Sequence, residues 1–191
     1  MTSGAIELAV KFLQQGGKRP DPAEVVEALV LAEKQHKKTK QRDRYEQFIG
    51  TWRLGFVSGT QTVRTRPGAK PVKRPGKGRY LPDLIKIRIA YATSSTVENA
   101  VSIGPLQLRL TGPTCFWSKT NSLAFDFTHL RADVGPLRLY DGDIRGGAAR
   151  NQTFKAQSLK DQAFFTFFLV ADSYIAARGK GGGLALWTLQ R

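Results

Sequence analysis

The spacing of apolar residues changes once along the chain, at Phe48-Ile49-Gly50-Thr51-Trp52, and that change limits the possible folds. Before it, apolar residues recur every three or four positions. After it they alternate. The first pattern is that of amphipathic helices and the second that of strands with one covered face. A helical segment over 1–49 therefore precedes a β domain over 50–191.

Within the helical part, Ile6, Ala9, Val10 and Leu13 share one face. Ser3 is suited to cap the start, and Gly16-Gly17 ends the helix. Asp21-Pro22-Ala23-Glu24 reads as an N-cap, a proline in the first turn and an acid near the positive helix end. Val25, Leu29 and Leu31 or Ala32 carry this second helix to about Gln35, and a basic run, Lys34 to Lys40, suits its C-terminus. A third short helix is expected from Asp43 to Phe48. These apolar faces are expected to pack on the β domain as a cap.

In the β part, Trp52, Leu54 and Phe56 are expected on one face of the first strand. Ile85, Ile87, Ile89 and Tyr91 are expected on one face of another, opposite Lys86, Arg88 and Ala90. Further strands are expected at 97–103, 106–111, 114–118, 123–128, 137–140, 164–169, 173–177 and 184–189. Gly104-Pro105, Gly112-Pro113, Gly135-Pro136 and Gly146-Gly147 punctuate them as turns. Short strands at this spacing imply a mainly β fold, an antiparallel barrel or sandwich. The rows headed by Ile85, by Leu106, Leu108 and Leu110, and by Leu123, Phe125 and Phe127 would then face inward.

Residues 64–79 interrupt the alternation. Arg64, Arg66, Lys70, Lys73, Arg74, Lys77 and Arg79 occur there without an acid, among three prolines and three glycines. That composition excludes a helix or central strand and predicts a loop. Net charge is +15, and residues 50–110 hold eleven Lys or Arg against two acids. Such asymmetry speaks to partners, not to fold. An anionic membrane is one, because each basic residue near it gains about 1 kcal/mol. Nucleic acid is the other, with steep salt dependence; only Tyr80 stands near these charges as a stacking platform.

The one cysteine, Cys115, cannot form an internal disulfide, which fits a reducing compartment. The apolar run 163–171 is far too short for a membrane-spanning helix, and Met1 to Leu8 show neither a signal nor a transit pattern. These features predict a cytoplasmic chain, soluble or peripheral to a membrane.

Catalytic patterns are sparse. Each Gly-Lys pair lacks the glycine five residues upstream and the following Ser or Thr of a phosphate loop. His36 and His129 stand apart from any triad or zinc spacing, and Asp141-Gly142-Asp143 reads as a turn. No enzyme activity, cofactor or metal is expected. Asp126 and Asp172, each in an apolar stretch, are candidates to hydrogen-bond a ligand's polar end if buried.

Two stretches carry a family resemblance. Phe48-Ile49-Gly50-Thr51-Trp52-Arg53-Leu54 with Ser58-Gly59 is similar to the opening of the plastid lipid-associated (fibrillin) proteins. Asp172 to Trp187, with its Arg178-Gly179 and a glycine-rich turn, resembles their closing hairpin. The likeness covers both ends of the β domain; between them only the strand pattern aligns. It implies a lipocalin-like barrel that binds or carries a hydrophobic small molecule (lipid, carotenoid or quinone) at a thylakoid or other photosynthetic membrane, in a cyanobacterial member. It implies Trp52 under the barrel with Arg178, or else Arg191, lying across its indole. Ligand contacts would come from Trp52, Phe56, Ile85, Ile87, Ile89, Tyr91, Leu108, Phe125 and Phe127, with Asp126, Asp172 and Arg178. The alternatives are a nucleic-acid-binding module working through 64–79, and a bilin-lyase-like enzyme on the same barrel.

Overall fold

The computed structural model describes residues 3–39, 42–64, 66, 68 and 70–190. Two helices come first, α1 (Ser3–Gln15) and α2 (Pro22–Thr39), then a 3-10 turn at Tyr45–Phe48. Strands β1 (Gly50–Val63), β2 (Val72–Tyr80), β3 (Ile85–Tyr91), β4 (Thr96–Ile103), β5 (Leu106–Trp117), β6 (Ser122–Phe125), β7 (His129–Val134) and β8 (Leu137–Asp143) follow. A short helix, α3 (Gly147–Phe154), leads to β9 (Ala163–Val170), β10 (Tyr174–Gly179) and β11 (Leu184–Leu189). All pairings are antiparallel. The ring β1-β3-β4-β5-β6-β9-β10-β11 returns to β1, which closes an eight-strand barrel of the lipocalin-like kind. β2 extends the ring along β1, and the β7–β8 hairpin extends it along β5.

The barrel wall separates two cores. Inside lie Phe48, Trp52, Ile89, Tyr91, Val97, Leu123, Phe167, Ile175, Ala177, Ala185 and Trp187. Outside, α1 and α2 press Ile6, Ala9, Val10, Val25, Ala28 and Leu29 onto Phe56, Phe168, Ala176, Leu184 and Leu186. Small Ala176 and Ala177 occupy adjacent positions on β10, one for each core, where the wall is covered on both sides.

Phe56 departs from the alternation. Trp52 and Leu54 belong to the inner core, but a bulge between Leu54 and Phe56 shifts the register against β11. Phe56 consequently pairs with Leu186 and packs under the helices, while Val57 turns inward opposite Ala185. A Cβ on Gly55, at the bulge, would stand 2.5 Å from the Leu13 methyl groups, so any larger residue there would have to displace that side chain. Phe56 is therefore not an inward-facing ligand contact.

Three further expectations change. The second half of the basic stretch 64–79 is strand: β2 pairs with β1 from Phe56–Tyr80 to Val63–Val72. Its one proline, Pro75, is accommodated because β2 is an edge strand, whose outer N–H groups need no partner. Within 64–79, Thr65, Pro67 and Ala69 lie outside the described residues. Gly112-Pro113 makes no turn. β5 runs through it, and a Cβ on Gly112 would stand 2.2 Å from the Asp126 carbonyl oxygen of the neighbouring chain. Asp141-Gly142-Asp143 is the end of strand β8 rather than a turn; the turn comes after it at Gly146-Gly147, as expected, both with positive φ, where α3 starts.

Arg178 does not lie over Trp52. Its Nε and Nη2 both donate to the carboxylate of Glu33 on α2, the former at 2.8 Å, and its Nη1 donates to the Gly182 carbonyl oxygen. The Trp52 indole instead donates to the Phe48 carbonyl oxygen at 2.8 Å. Arg191, the other expected partner, lies outside the described residues. The Glu33–Arg178 pair thus fastens α2 to the barrel. Burial alone would push Glu33 up. The hydrogen bonds and charges of Arg178 and Lys37 outweigh it and hold the carboxyl below its usual range. Since the folded value lies below the ordinary 4.5, the pair's stabilisation is complete above that pH and drains away as pH falls through the folded value. Glu33→Gln is expected to lower stability at neutral pH by roughly 2–3 kcal/mol. In urea unfolding followed from pH 7 to strong acid, the gap between wild type and variant should close below the ordinary carboxylate range.

Candidate functional site

The inward row of β3 runs from the core to open space. Tyr91 and Ile89 are buried in the inner core, Ile87 and Ile85 are half-buried, and Leu84 beyond them is 68% exposed. Register carries this change of exposure across the neighbouring strands, because residues directly opposite point to the same face. The outermost rung joins Ile85, Ile103, Leu106, Val134 and Leu137, and the next joins Ile87, Val101, Leu108, Ala132 and Tyr140. Ile103, Val134, Leu137 and Tyr140 are all exposed. The inner face of β3-β4-β5-β7-β8 is thus apolar and uncovered where it leaves the barrel.

The same end carries the positive charge. β1 continues beyond the level of Ile85 as one arm of the β1–β2 hairpin, past its last pairing with β11 at Val57. Between Gly50 and Pro82 there is no Asp or Glu. Arg64, Arg66, Lys70, Lys73, Arg74, Lys77 and Arg79 are all exposed on this hairpin. Arg79 lies opposite Val57 and so on the inner-face side. The other basic residues behave differently. Arg53, Arg88, Arg109 and Arg131 form one row across the outer face, with Lys86 one rung nearer the hairpin. Asp83, Glu98 and Asp133 pair with Arg53, Arg109 and Arg131 respectively, and Asp141 pairs with Arg138 alongside. Acids therefore divide this row, whereas the hairpin itself carries none.

The interior is filled. Phe125 stacks on Phe165 with centroids 5.2 Å apart, Phe165 meets Trp187 edge-on at 5.1 Å, and Phe48 and Phe167 are 4.5 Å apart. Of the expected contacts, Trp52, Ile89, Tyr91, Phe125 and Phe127 lie in or against this packing. Ile85, Ile87 and Leu108 belong to the open face. Five cavities among the described residues, of about 240 to 540 Å³, lie between helices and wall, on outer surfaces or under the Trp52 end, and none of these five is lined by Phe125, Phe127, Phe165 or Trp187.

Neither expected acid reaches the interior. Asp126 is buried, but Arg150 and Arg145 from the α3 region hold its carboxylate, the latter at 3.5 Å, and it accepts from the Phe127 N–H at 2.9 Å. It anchors α3 across the joint between β6 and β7. Asp172 is exposed at the opposite end of the barrel from the hairpin. Arg178 is engaged with Glu33, away from any ligand. A polar cluster that the sequence reading missed links the cap to the barrel: Asn121 Nδ2 lies 2.9 Å from both His36 Nε2 and Asp43 Oδ2. Its members lie 78 and 85 positions apart, so no local pattern announces it. Burial raises the Asp43 carboxyl, with His36 opposing.

Among the described residues, no group of three or more His, Cys, Asp and Glu side chains could hold a metal ion, and no helix is long and apolar enough to cross a membrane. No family model matches the chain, and comparison with curated proteins gives no match.

One interior group lacks a partner. Tyr91 is 2% exposed and its hydroxyl has no hydrogen bond among the described residues. Burial, reinforced by Tyr45, pushes its ionisation far above the usual tyrosine range. A buried hydroxyl without a partner costs about 1 kcal/mol or more. Tyr91→Phe should therefore raise stability by about 1 kcal/mol in chemical denaturation, and it should leave the tyrosinate absorbance reached at alkaline pH unchanged, because Tyr91 stays protonated in the wild type.

Proposed function

We propose that this chain is a noncatalytic binder of hydrophobic molecules that works at an anionic membrane surface. The observation that carries the reading is the coincidence, at one end of the barrel, of an acid-free basic hairpin and an uncovered apolar inner face. The hairpin supplies attraction to lipid headgroups. The outer rung of Ile85, Ile103, Leu106, Val134 and Leu137 supplies apolar surface that gains by leaving water. Because the lumen is filled, the hydrophobic molecule sits on the open face above Phe125 and Phe127 rather than in a closed cavity. The resemblance to plastid lipid-associated proteins supports the same reading and points to a photosynthetic membrane, with a lipid, carotenoid or quinone as the cargo.

Nucleic acid is the competing partner for the hairpin. The acids threaded through the outer Arg row favour the membrane, since a phosphate backbone crossing that face would meet Asp83, Glu98 and Asp133.

Flotation with liposomes separates the two. Wild type should float with vesicles containing phosphatidylglycerol and remain behind with phosphatidylcholine alone. Replacing Lys70, Lys73, Arg74 and Lys77 by glutamine should weaken attachment by roughly 4 kcal/mol, about a thousandfold. Leu137→Asp should weaken it without changing the charge of the hairpin. Equal flotation of wild type and the quadruple variant would sink the proposal. So would salt-sensitive retention on RNA together with no preference for anionic lipid.

A further inference from the structure

The ring has no free edge, but its two extensions do. β2 pairs only with β1, and β8 pairs only with β7. The β2 edge is guarded against strand pairing by Lys73, Arg74, Pro75 and Lys77 within a nine-residue strand. The β8 edge has no proline or lysine. Its sequence is Leu-Arg-Leu-Tyr-Asp-Gly-Asp, six of its seven residues are exposed, and Leu137, Leu139 and Tyr140 are 62%, 59% and 43% exposed. This exposed edge, with three large apolar side chains among three charged ones, is a template for another strand whose charges match.

The geometry points to a second copy of this chain as that strand, paired β8 to β8 in antiparallel register about a twofold axis between Leu139 and Tyr140. In this register Arg138, which is ion-paired with Asp141 of its own chain at 3.0 Å, also faces Asp141 of the other copy, and by symmetry the opposition occurs twice. Both residues lie on the outer face, since Arg138 stands opposite Asp133 and Asp141 opposite Arg131 on β7. Leu137 faces Gly142 of the other copy on the inner face, where it meets the Tyr140 ring that lies over that glycine. Leu139 faces Tyr140. The bulge between Ala132 and Asp133 in the β7–β8 pairing is what brings Arg138 and Asp141, three positions apart, to the same face. Charge order and face thus agree in one register. Antiparallel pairing sends the two β1–β2 hairpins to opposite ends, so a pair cannot set both on one flat bilayer.

The test is the mass in solution by light scattering during size-exclusion chromatography, across a concentration series, without lipid. Wild type is expected to rise from 21.1 kDa toward twice that value. Arg138→Glu places Glu against Asp, and Asp141→Lys places Lys against Arg, so each variant alone should remain a monomer. Mixed in equal amounts, the two should form a heterodimer, because each mismatch is answered by the other chain. Recovery in the mixture also excludes misfolding as the cause of the single-variant result. A wild type that stays monomeric at the highest soluble concentration, single variants that still dimerise, or a mixture that fails to associate would each overturn the inference.

Discussion

A β-strand has two edges, and two strands of this barrel serve three partners each. β1 gives one edge to β11 and divides the other between β3 and β2. β5 gives one edge to β4 and divides the other between β6 and β7. Each division needs a break in the neighbouring chain, and the breaks occur at Leu81-Pro82-Asp83-Leu84 and at Asp126-Phe127-Thr128. Both breaks have local fastenings. Leu81 donates its N–H to the Gly55 carbonyl oxygen, and Asp126 is clamped by Arg145 and Arg150. The eight-strand ring, the basic hairpin and the open apolar face all follow from this sharing.

The second organising fact is that part of the wall is packed on both sides. The aromatic interior and the helix-covered exterior meet across β1, β9, β10 and β11, so these strands read as nearly continuous apolar runs, such as Phe164-Phe165-Thr166-Phe167-Phe168-Leu169. β3, β4, β5, β7 and β8 have only one apolar face, and their outer face carries ion pairs. The difference explains why charge and apolar surface segregate to one side and one end of the molecule.

Much of this was legible in the sequence. α1 and α2 were marked by spacing and by the Pro22 and Gly16-Gly17 boundaries, and the barrel by alternation with regular turns. Phe56 was misread because a bulge inserts a single residue and leaves no compositional trace except Gly55. β2 was misread as loop because proline, glycine and lysine suit an unpaired edge as well as a loop. β7 escaped even though His129, Arg131 and Asp133 alternate strictly with Leu130, Ala132 and Val134. α3, Gly-Ala-Ala-Arg-Asn-Gln-Thr-Phe, has no apolar stripe and is held by Asp126 and by burial of Phe154. At the site, the inward rows and the hairpin charge could be read directly. Their meeting at one end could not, since it depends on strand register. Arg178 was assigned to the wrong partner because Glu33 stands 145 positions away.

No hydrogen bond of the ring belongs to β7 or β8; the circuit is complete without them. The hairpin hangs from β5 along one edge, with its outer strand solvated. Such a unit can open on its own, at a cost well below that of unfolding the whole chain. Its amides should exchange with solvent as a separate, faster group than those of β9, β10 and β11. Proteases should also find their first foothold there, leaving a nicked molecule whose barrel is still closed.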